Sequence, residues 1–293
     1  MIRRTKTPFP YTDIVAAPFI RWVGGKRKVI DIISALYPLK FNKYVELFVG
    51  GGAVFYNLNA FGKLKSINSR PKALLNDINK ELIEAYWVIK HYPKEIIDLL
   101  KDKDRFSIYE STYYKIRAWN PTTPIERCAR FIYLNRTGHR SMYRLDMNGD
   151  YNVPWGAPKY RKIFNYVENK IYPISIALQE VQLLNREFDA CEEYIEMGDF
   201  IYMDPPSDAH SNKPVFNNYT IDGYNIIDQE RVANYFIQLS NKGCFVMTSN
   251  HDTPLIRSLY ADYFMYEFIS RTMINYNGIA RATFVGDLLI TNY

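Results

Sequence analysis

Asp204-Pro205-Pro206-Ser207 is the stretch best suited to chemistry. It ends an apolar run, Phe200-Ile201-Tyr202-Met203, which predicts a buried parallel strand running into a sharp bend. Two prolines block further strand pairing and fix the backbone there. A carboxylate at the C-terminal end of a central strand stands where open α/β sheets bind ligands. Taken alone, the tetrapeptide is equally a strand-ending acid before a proline-rich turn.

Two glycine runs lie upstream. In Trp22-Val23-Gly24-Gly25-Lys26 the glycine pair lets backbone approach a ligand, and Lys26 places a cation beside it. The G-x-x-x-x-G-K-[ST] spacing is missing, which argues against a phosphate-cradling P-loop. Tyr44-Val45-Glu46-Leu47-Phe48-Val49-Gly50-Gly51-Gly52-Ala53-Val54 is more specific: a short apolar strand, three glycines, then the start of a helix. This is the shape of a nucleotide-type site, with the ligand against bare backbone at a helix N-terminus. Glu46 can orient a charged group or bond loop amides; a solvated Glu in a tight turn is the alternative. A second apolar strand, 72–76, ends at Asp77-Ile78-Asn79, about 25 residues past the glycines. An acid there accepts from ribose hydroxyls in doubly wound sheets. Capping a helix over 80–90 is its other use.

Two kinds of residue have to be positioned around these: those that build the sheet and those that meet a partner. The chain has 293 residues, 47% apolar, enough for one large domain or a domain with an insertion. Its net charge is +6, and residues 111–170 alone carry 11 Lys/Arg against 4 Asp/Glu. That concentration suits a polyanion, nucleic acid foremost, although a solvated charged face has the same composition. The 25 Tyr and 17 Phe serve base stacking or an ordinary core. Cys128, Cys191 and Cys244 are odd in number and widely spaced, against a disulfide framework or structural zinc and in keeping with a reducing, cytoplasmic setting. No apolar run approaches the roughly 20 residues of a membrane span.

The βα rhythm predicts an irregular arm over 1–17, a helix over 28–37 stopped by Pro38, and helices over 93–101 and 125–135. Between 84 and 165 the rhythm stops. Asn148-Gly149 is a hairpin-turn signal, and its flanks predict a small basic β-ribbon for major-groove readout. Lys159, Arg161 and Lys162 are candidates for phosphate contact. Strands follow over 181–184, 200–203, 244–250, 264–270 and 287–293, with helices over 229–240 and 253–259. The polar, aromatic stretch 207–226 has the length of a binding loop.

Trp22-Val-Gly-Gly-Lys26, Glu46 through Gly52, Asp77-Ile-Asn79, Asn135-Arg136 through Asn152-Val-Pro-Trp-Gly156, Asp204-Pro-Pro206, Ser249-Asn250 and the terminal Leu-Leu-Ile-Thr-Asn-Tyr293 together resemble the Dam-type (alpha-class) DNA adenine-N6 methyltransferases. The match runs from about residue 18 to the end, in that family's motif order. The resemblance implies a Rossmann-like α/β fold, with a catalytic domain formed by 1–83 and 166–293 and a target-recognition insertion at 84–165. It implies S-adenosylmethionine as cofactor, bound near Trp22, Gly25, Lys26, Glu46, Phe48, Gly50, Gly52, Asp77, Ile78 and Asp204. Asp204, Pro205, Pro206 and Ser207 would form the catalytic motif, with Asp204 facing the adenine amine. Double-stranded DNA would be the partner, its GATC-like site met by Arg136, His139, Arg140, Met142, Arg144, Asn152, Pro154 and Lys159. Of these, Arg144 lies where the family reads a guanine, and His139 and Arg140 lie where it fills the gap of a flipped base. Met142 and Pro154 lie where it makes apolar base contacts. The setting would be the nucleoid of a bacterial or phage-infected cell, with no metal or membrane involved.

A carboxylate and a proline carbonyl accepting both N–H bonds of an adenine amine would free its delocalised lone pair for in-line methyl transfer. The base must leave the duplex to reach them. The family closes D-P-P with an aromatic, usually Tyr, that stacks on the base; here Ser207 stands instead. Three outcomes stay open: Phe216, Tyr219 or Tyr224 supplies the ring, turnover is weakened or lost, or the pocket takes a different group. The competing classes are an inert DNA-binding protein on the same fold and an RNA or nucleotide methyltransferase. A Rossmann oxidoreductase is disfavoured because the glycines are not G-x-G-x-x-G.

Overall fold

The computed structural model describes residues 15–66, 70–158, 163–208, 224–276 and 279–293, with only the backbone course given for 163–168 and 270–285. After a 3-10 turn, Lys26–Lys28, come α1 (Ile30–Ala35), β1 (Tyr44–Glu46), α2 (Ala53–Ala60), β2 (Ala73–Asn76) and α3 (Lys80–His91). Next are α4 (Pro93–Leu100), α5 (Glu110–Ala118), α6 (Pro124–Thr137), α7 (Ile163–Ala177), β3 (Val181–Leu184) and β4 (Phe200–Met203). The chain ends with α8 (Ile226–Asn241), β5 (Phe245–His251), α9 (Pro254–Leu259), β6 (Phe264–Tyr276) and β7 (Ile279–Thr291). The seven strands form one sheet, β3-β2-β1-β4-β5-β7-β6. The first five in that order are parallel; β7 is antiparallel to both β5 and β6.

Period-2 alternation divides the core between the two faces of this sheet. Tyr44, Phe200 and Tyr202 face one cluster, built largely on α1 to α7; Val45, Ile201 and Met203 face the other, under α8 and α9. The order reverses between β1 and β4, whose residues Glu46 and Tyr202 stand in register. The crevice outside those strand ends is therefore the ligand position of the fold.

The five parallel strands fall where their apolar runs place them, β6 runs on past the expected 264–270, β7 begins well before the expected 287–293, and the helices differ in three places. The helix expected over 28–37 begins as the 3-10 turn and runs only to Ala35, because Val29 (φ −115°, ψ 12°) interrupts it. Helices α5 and α7 were not expected at all. Pro173 lies inside α7, which hides its helical period, and the aromatic and β-branched residues of α5 bury only Tyr113 and Ile116. The expected domain limits at 83–84 and 165–166 fall within α3 and α7, which pack against each other. The ribbon expected around Asn148-Gly149 is reduced to isolated bridges. The flanks meet in single antiparallel bridges, Leu145 with Tyr151 and Gly138 with Trp155. Asp146 organises the turn, its carboxylate accepting from the N–H groups of Asn148 (2.9 Å) and Asp150 (3.0 Å), and backbone bonds from Asp146 N–H to Asp150 O (2.9 Å) and from Asn152 N–H to Arg144 O (3.1 Å) join the flanks.

Gly52 opens α2 in the left-handed region (φ 69°), and a Cβ there would lie 2.8 Å from the Tyr86 hydroxyl. Gly52→Ala should therefore cost about 1–3 kcal/mol of folding stability. Urea midpoints at unchanged m-value measure this, and a loss below about 0.5 kcal/mol would contradict it.

Candidate active site

Three carboxylates gather at the C-terminal ends of β1, β2 and β4. Asp204 leaves β4 half-buried. Its Oδ1 accepts from Lys26 Nζ at 2.5 Å and from Ser249 Oγ at 2.8 Å. The Tyr202 hydroxyl lies 3.0 Å from the same Ser249 oxygen. Lys26 also donates to the Gly24 carbonyl at 3.0 Å, so the glycine pair and the D-P-P turn are joined through one ammonium. Among the described residues, Oδ2 of Asp204 has no hydrogen-bond partner.

The turn after Asp204 is fastened from below. Gln229 of α8, itself buried, donates to the Pro206 carbonyl at 2.8 Å and accepts from Asn250 at 2.9 Å. Asn250 Oδ1 in turn accepts from the N–H groups of Asp208 (2.9 Å) and His251 (2.8 Å). Pro205 is buried, while Pro206 and Ser207 are half-buried. Ser249 and Asn250 are visible in the sequence as a polar end to an apolar strand; nothing there marks Gln229.

Asp77 ends β2 with both oxygens bound to backbone: Oδ2 accepts from Gly50 N–H and Oδ1 from Asn79 N–H, each at 3.0 Å. Asn79, not Asp77, caps α3, accepting from Leu82 N–H at 2.9 Å. Glu46 is 2% exposed and accepts from Phe55 N–H at 3.2 Å, inside the first turn of α2. Burial pushes its carboxyl up to about 8; the Tyr44 hydroxyl and Phe55 N–H oppose this, and the Asp204 and Asp77 charges add to it. Burial likewise pushes Asp77 up to about 6 against the Asn79 and Gly50 donors. Trp22 lies over the glycine loop, where a Cβ on Gly50 would come within 2.7 Å of its ring, and it contacts Tyr143 with centroids 5.5 Å apart. Gly25 N–H bonds the Trp22 carbonyl at 3.2 Å. Phe48 packs on Phe188, and Ile78 is 44% exposed, leaving apolar surface beside Asp77.

The residues expected to meet DNA divide into two sets. His139, Arg140 and Pro154 are exposed, with Arg140 strained into the left-handed region (φ 53°). The Pro154 carbonyl accepts from His139 N–H at 2.8 Å, so these share one surface. The others have internal partners. Arg136 bonds the Phe19 carbonyl, Arg144 Nε bonds Asn152 Oδ1 at 2.6 Å, and Met142 packs on the core. Lys159, Arg161 and Lys162 lie outside the described residues, as do Phe216 and Tyr219. Tyr224 packs on the cluster under α8. Two other arginines of the basic segment are also engaged by the chain itself. Arg127 forks onto Glu84 at 2.8 and 2.7 Å, and Arg130 bonds the carbonyls of Ile116 and Arg117. One residue that sequence reasoning left without a role, Asn135, clips this segment to the site: its amide accepts from Arg21 N–H at 3.0 Å and donates to Arg21 O at 2.8 Å.

This edge presents a cation, three acids, bare glycine backbone and apolar surface. It fits a ligand that carries its own ammonium and carboxylate beside a ribose, and Asp77 keeps lone pairs for a hydroxyl despite its two backbone bonds. Among the described residues no group of three or more His, Cys, Asp or Glu could hold a metal ion, and no helix is long and apolar enough to cross a membrane.

Comparison with known proteins points the same way. The family model for D12 class N6 adenine-specific DNA methyltransferase matches residues 22–274. The chain is 33% identical over 284 residues to the Type II methyltransferase M1.LlaDCHI of Lactococcus lactis subsp. cremoris, covering 94% of this chain and 95% of that one. It is 32% identical to the Type II methyltransferase M.MjaIII of Methanocaldococcus jannaschii, covering 94% and 99%. To the DNA adenine methylase of Haemophilus influenzae it is 30% identical, covering 83% and 82%.

The buried acids make stability depend on pH. Between the ordinary value of 4.5 and about 8, folded Glu46 holds a proton that the unfolded chain releases. Its contribution is therefore present at low pH and is lost as pH rises through about 8. Glu46→Gln keeps an acceptor for Phe55 N–H and removes the titration. It should be more stable than the parent at about pH 8.5 and lose most of that advantage at about pH 5, as read from urea midpoints. A difference independent of pH would contradict the assignment.

Proposed function

Given that the chain belongs to the D12 class N6 adenine-specific DNA methyltransferases, we propose that it methylates a flipped adenine at a fixed, GATC-like duplex site, with Asp204 at the centre of the chemistry. The class uses S-adenosylmethionine, which when bound supplies an electrophilic methyl group. The observation that carries the reading is the pinning of Asp204. Lys26 and Ser249 occupy Oδ1, which leaves Oδ2 for a substrate N–H. Gln229 fixes the Pro206 carbonyl and with it the turn, and a proline carbonyl of the D-P-P motif is the second acceptor in this reading. Two acceptors on one exocyclic amine draw its lone pair out of the ring, and their fixed positions mean little reorganisation at reaction.

In this reading Lys26 meets the carboxylate of the donor, Asp77 its ribose, and Phe48 and Ile78 its adenine, with Trp22, Gly25, Glu46, Gly50 and Gly52 shaping the pocket. Residues 84–165 form the target-recognition segment. His139 and Arg140 stand at the gap left by the flipped base, Arg144 and Asn152 face base edges, and Met142 and Pro154 make apolar contacts. Arg136 supports that surface through Phe19, and Lys159 contacts phosphate. The setting proposed is the cytoplasm, on chromosomal or phage DNA.

Expression in a host lacking adenine methylation, followed by sequencing for modified adenines, tests this directly. Modified adenine in one short context is expected. An unmodified genome, with calorimetric binding of both S-adenosylmethionine and duplex retained, would instead support an inert DNA-binding protein, the reading that Ser207 favours. Ser207→Tyr should restore a base–aromatic stack of about 1–3 kcal/mol, a gain of roughly 5- to 150-fold in kcat/KM. Unchanged or lower activity would mean that weakened stacking at this position does not limit turnover.

A further inference from the structure

The last two strands reach well past the sheet. β5 pairs with β7 only from Met247–Thr291 to His251–Asp287, while β6 and β7 stay paired as far as Tyr276–Ile279. Residues 269–276 and 279–286 therefore form a two-stranded ribbon, with no third strand among the described residues. It extends about 24 Å at ~3.4 Å per residue. Because β7 is antiparallel to β5, the ribbon runs on beyond His251, past the same edge of the sheet that carries Asp204. Its root lies two strands from β4, about 10 Å to one side.

An isolated two-stranded ribbon is marginal in water, so its length calls for something to lie against. The charges indicate what. Between Phe268 and Gly286 the sequence holds Arg271 and Arg281 and no Asp or Glu. The acids sit at the root, each with a partner: Asp252 and Glu267 with Arg257, and Asp287 with His251 at 2.7 Å. Arg271 is paired with Phe284 and Arg281 with Ile274. The two arginine positions thus lie on opposite faces of the ribbon, so one of them is on whichever face meets a polyanion.

We propose that this ribbon is a second contact with duplex DNA, holding its phosphate backbone beside the base-binding edge through whichever of Arg271 and Arg281 lies on the face turned to the duplex. It supplies grip rather than sequence choice, since phosphate contacts carry no sequence information. The proposal rests on the reading of the chain as a duplex-DNA enzyme. Asn277-Gly278 is as strong a turn signal as Asn148-Gly149, and here the paired strands are present.

The test uses the full chain, its Arg271→Ala/Arg281→Ala variant and a duplex carrying the methylated site, with affinity measured against salt. The slope of log affinity on log salt should fall by about 0.9, the value for the one phosphate contact made by the arginine that faces the duplex, with affinity at about 0.1 M salt lower on the order of tenfold. S-adenosylmethionine affinity and Tm should not move, and Arg271→Lys/Arg281→Lys should keep the parent slope. Failure of the parent to bind duplex would count against the enzyme reading itself. With a parent that binds, an unchanged slope in the folded alanine variant overturns the ribbon contact. So does a DNA-free dimer of the parent that the alanine variant dissociates, which would make the ribbon an interface between copies of this chain.

Discussion

One ion pair holds the site together. Lys26 comes from the glycine loop near the start of the described chain, Asp204 from the end of the central strand β4, and they meet at 2.5 Å. Ser249 of β5 bonds the same oxygen, so three distant segments converge on one atom. Both side chains of the pair are partly exposed, at 17% and 19%, so the pair adds little to stability by itself. Its value is geometric: it fixes which carboxylate oxygen is available, and it keeps the glycine loop against the strand ends. The sheet order makes the meeting possible, because β1 and β4 are neighbours at the point where the order reverses.

The segment that inserts α3 to α7 between β2 and β3 is tied to this same centre. Asn135 holds the backbone of Arg21, next to Trp22, with two reciprocal bonds, and Arg136 holds the carbonyl of Phe19. Tyr143 contacts Trp22 from the other side and bonds Glu81 of α3 at 2.8 Å. The surface bearing His139 and Arg140 is therefore built on the residues that flank the glycine loop. These bonds are part-buried, so the two regions are fastened to each other by polar contacts as well as by packing.

The sheet was legible because each parallel strand is a short apolar run between turn signals, and because the acids Glu46, Asp77 and Asp204 close three of them. The glycines were legible for the same reason: Gly50 and Gly52 do adopt positive φ. What stayed hidden was made by tertiary contact. The internal proline of α7 broke its pattern, and α5 has too narrow a buried face to show one. Charge counting saw the arginines of 111–170 but not that Arg127, Arg130, Arg136 and Arg144 bond groups of their own chain. Gln229 and Asn135 act through amides buried by elements far away in sequence, so no local spacing reveals them. The long β6–β7 ribbon did have a signal, Asn277-Gly278 between apolar flanks, and the expected strand ends at 270 and 287 stopped short of it.

The most direct test of the account is single-turnover methyl transfer by Asp204→Ala, with S-adenosylmethionine and a cognate duplex both saturating. The account predicts a fall of about 100-fold or more in the rate, on the scale of losing a positioned catalytic acceptor, while duplex affinity stays within a few-fold of the parent. A rate within about threefold of the parent would contradict it.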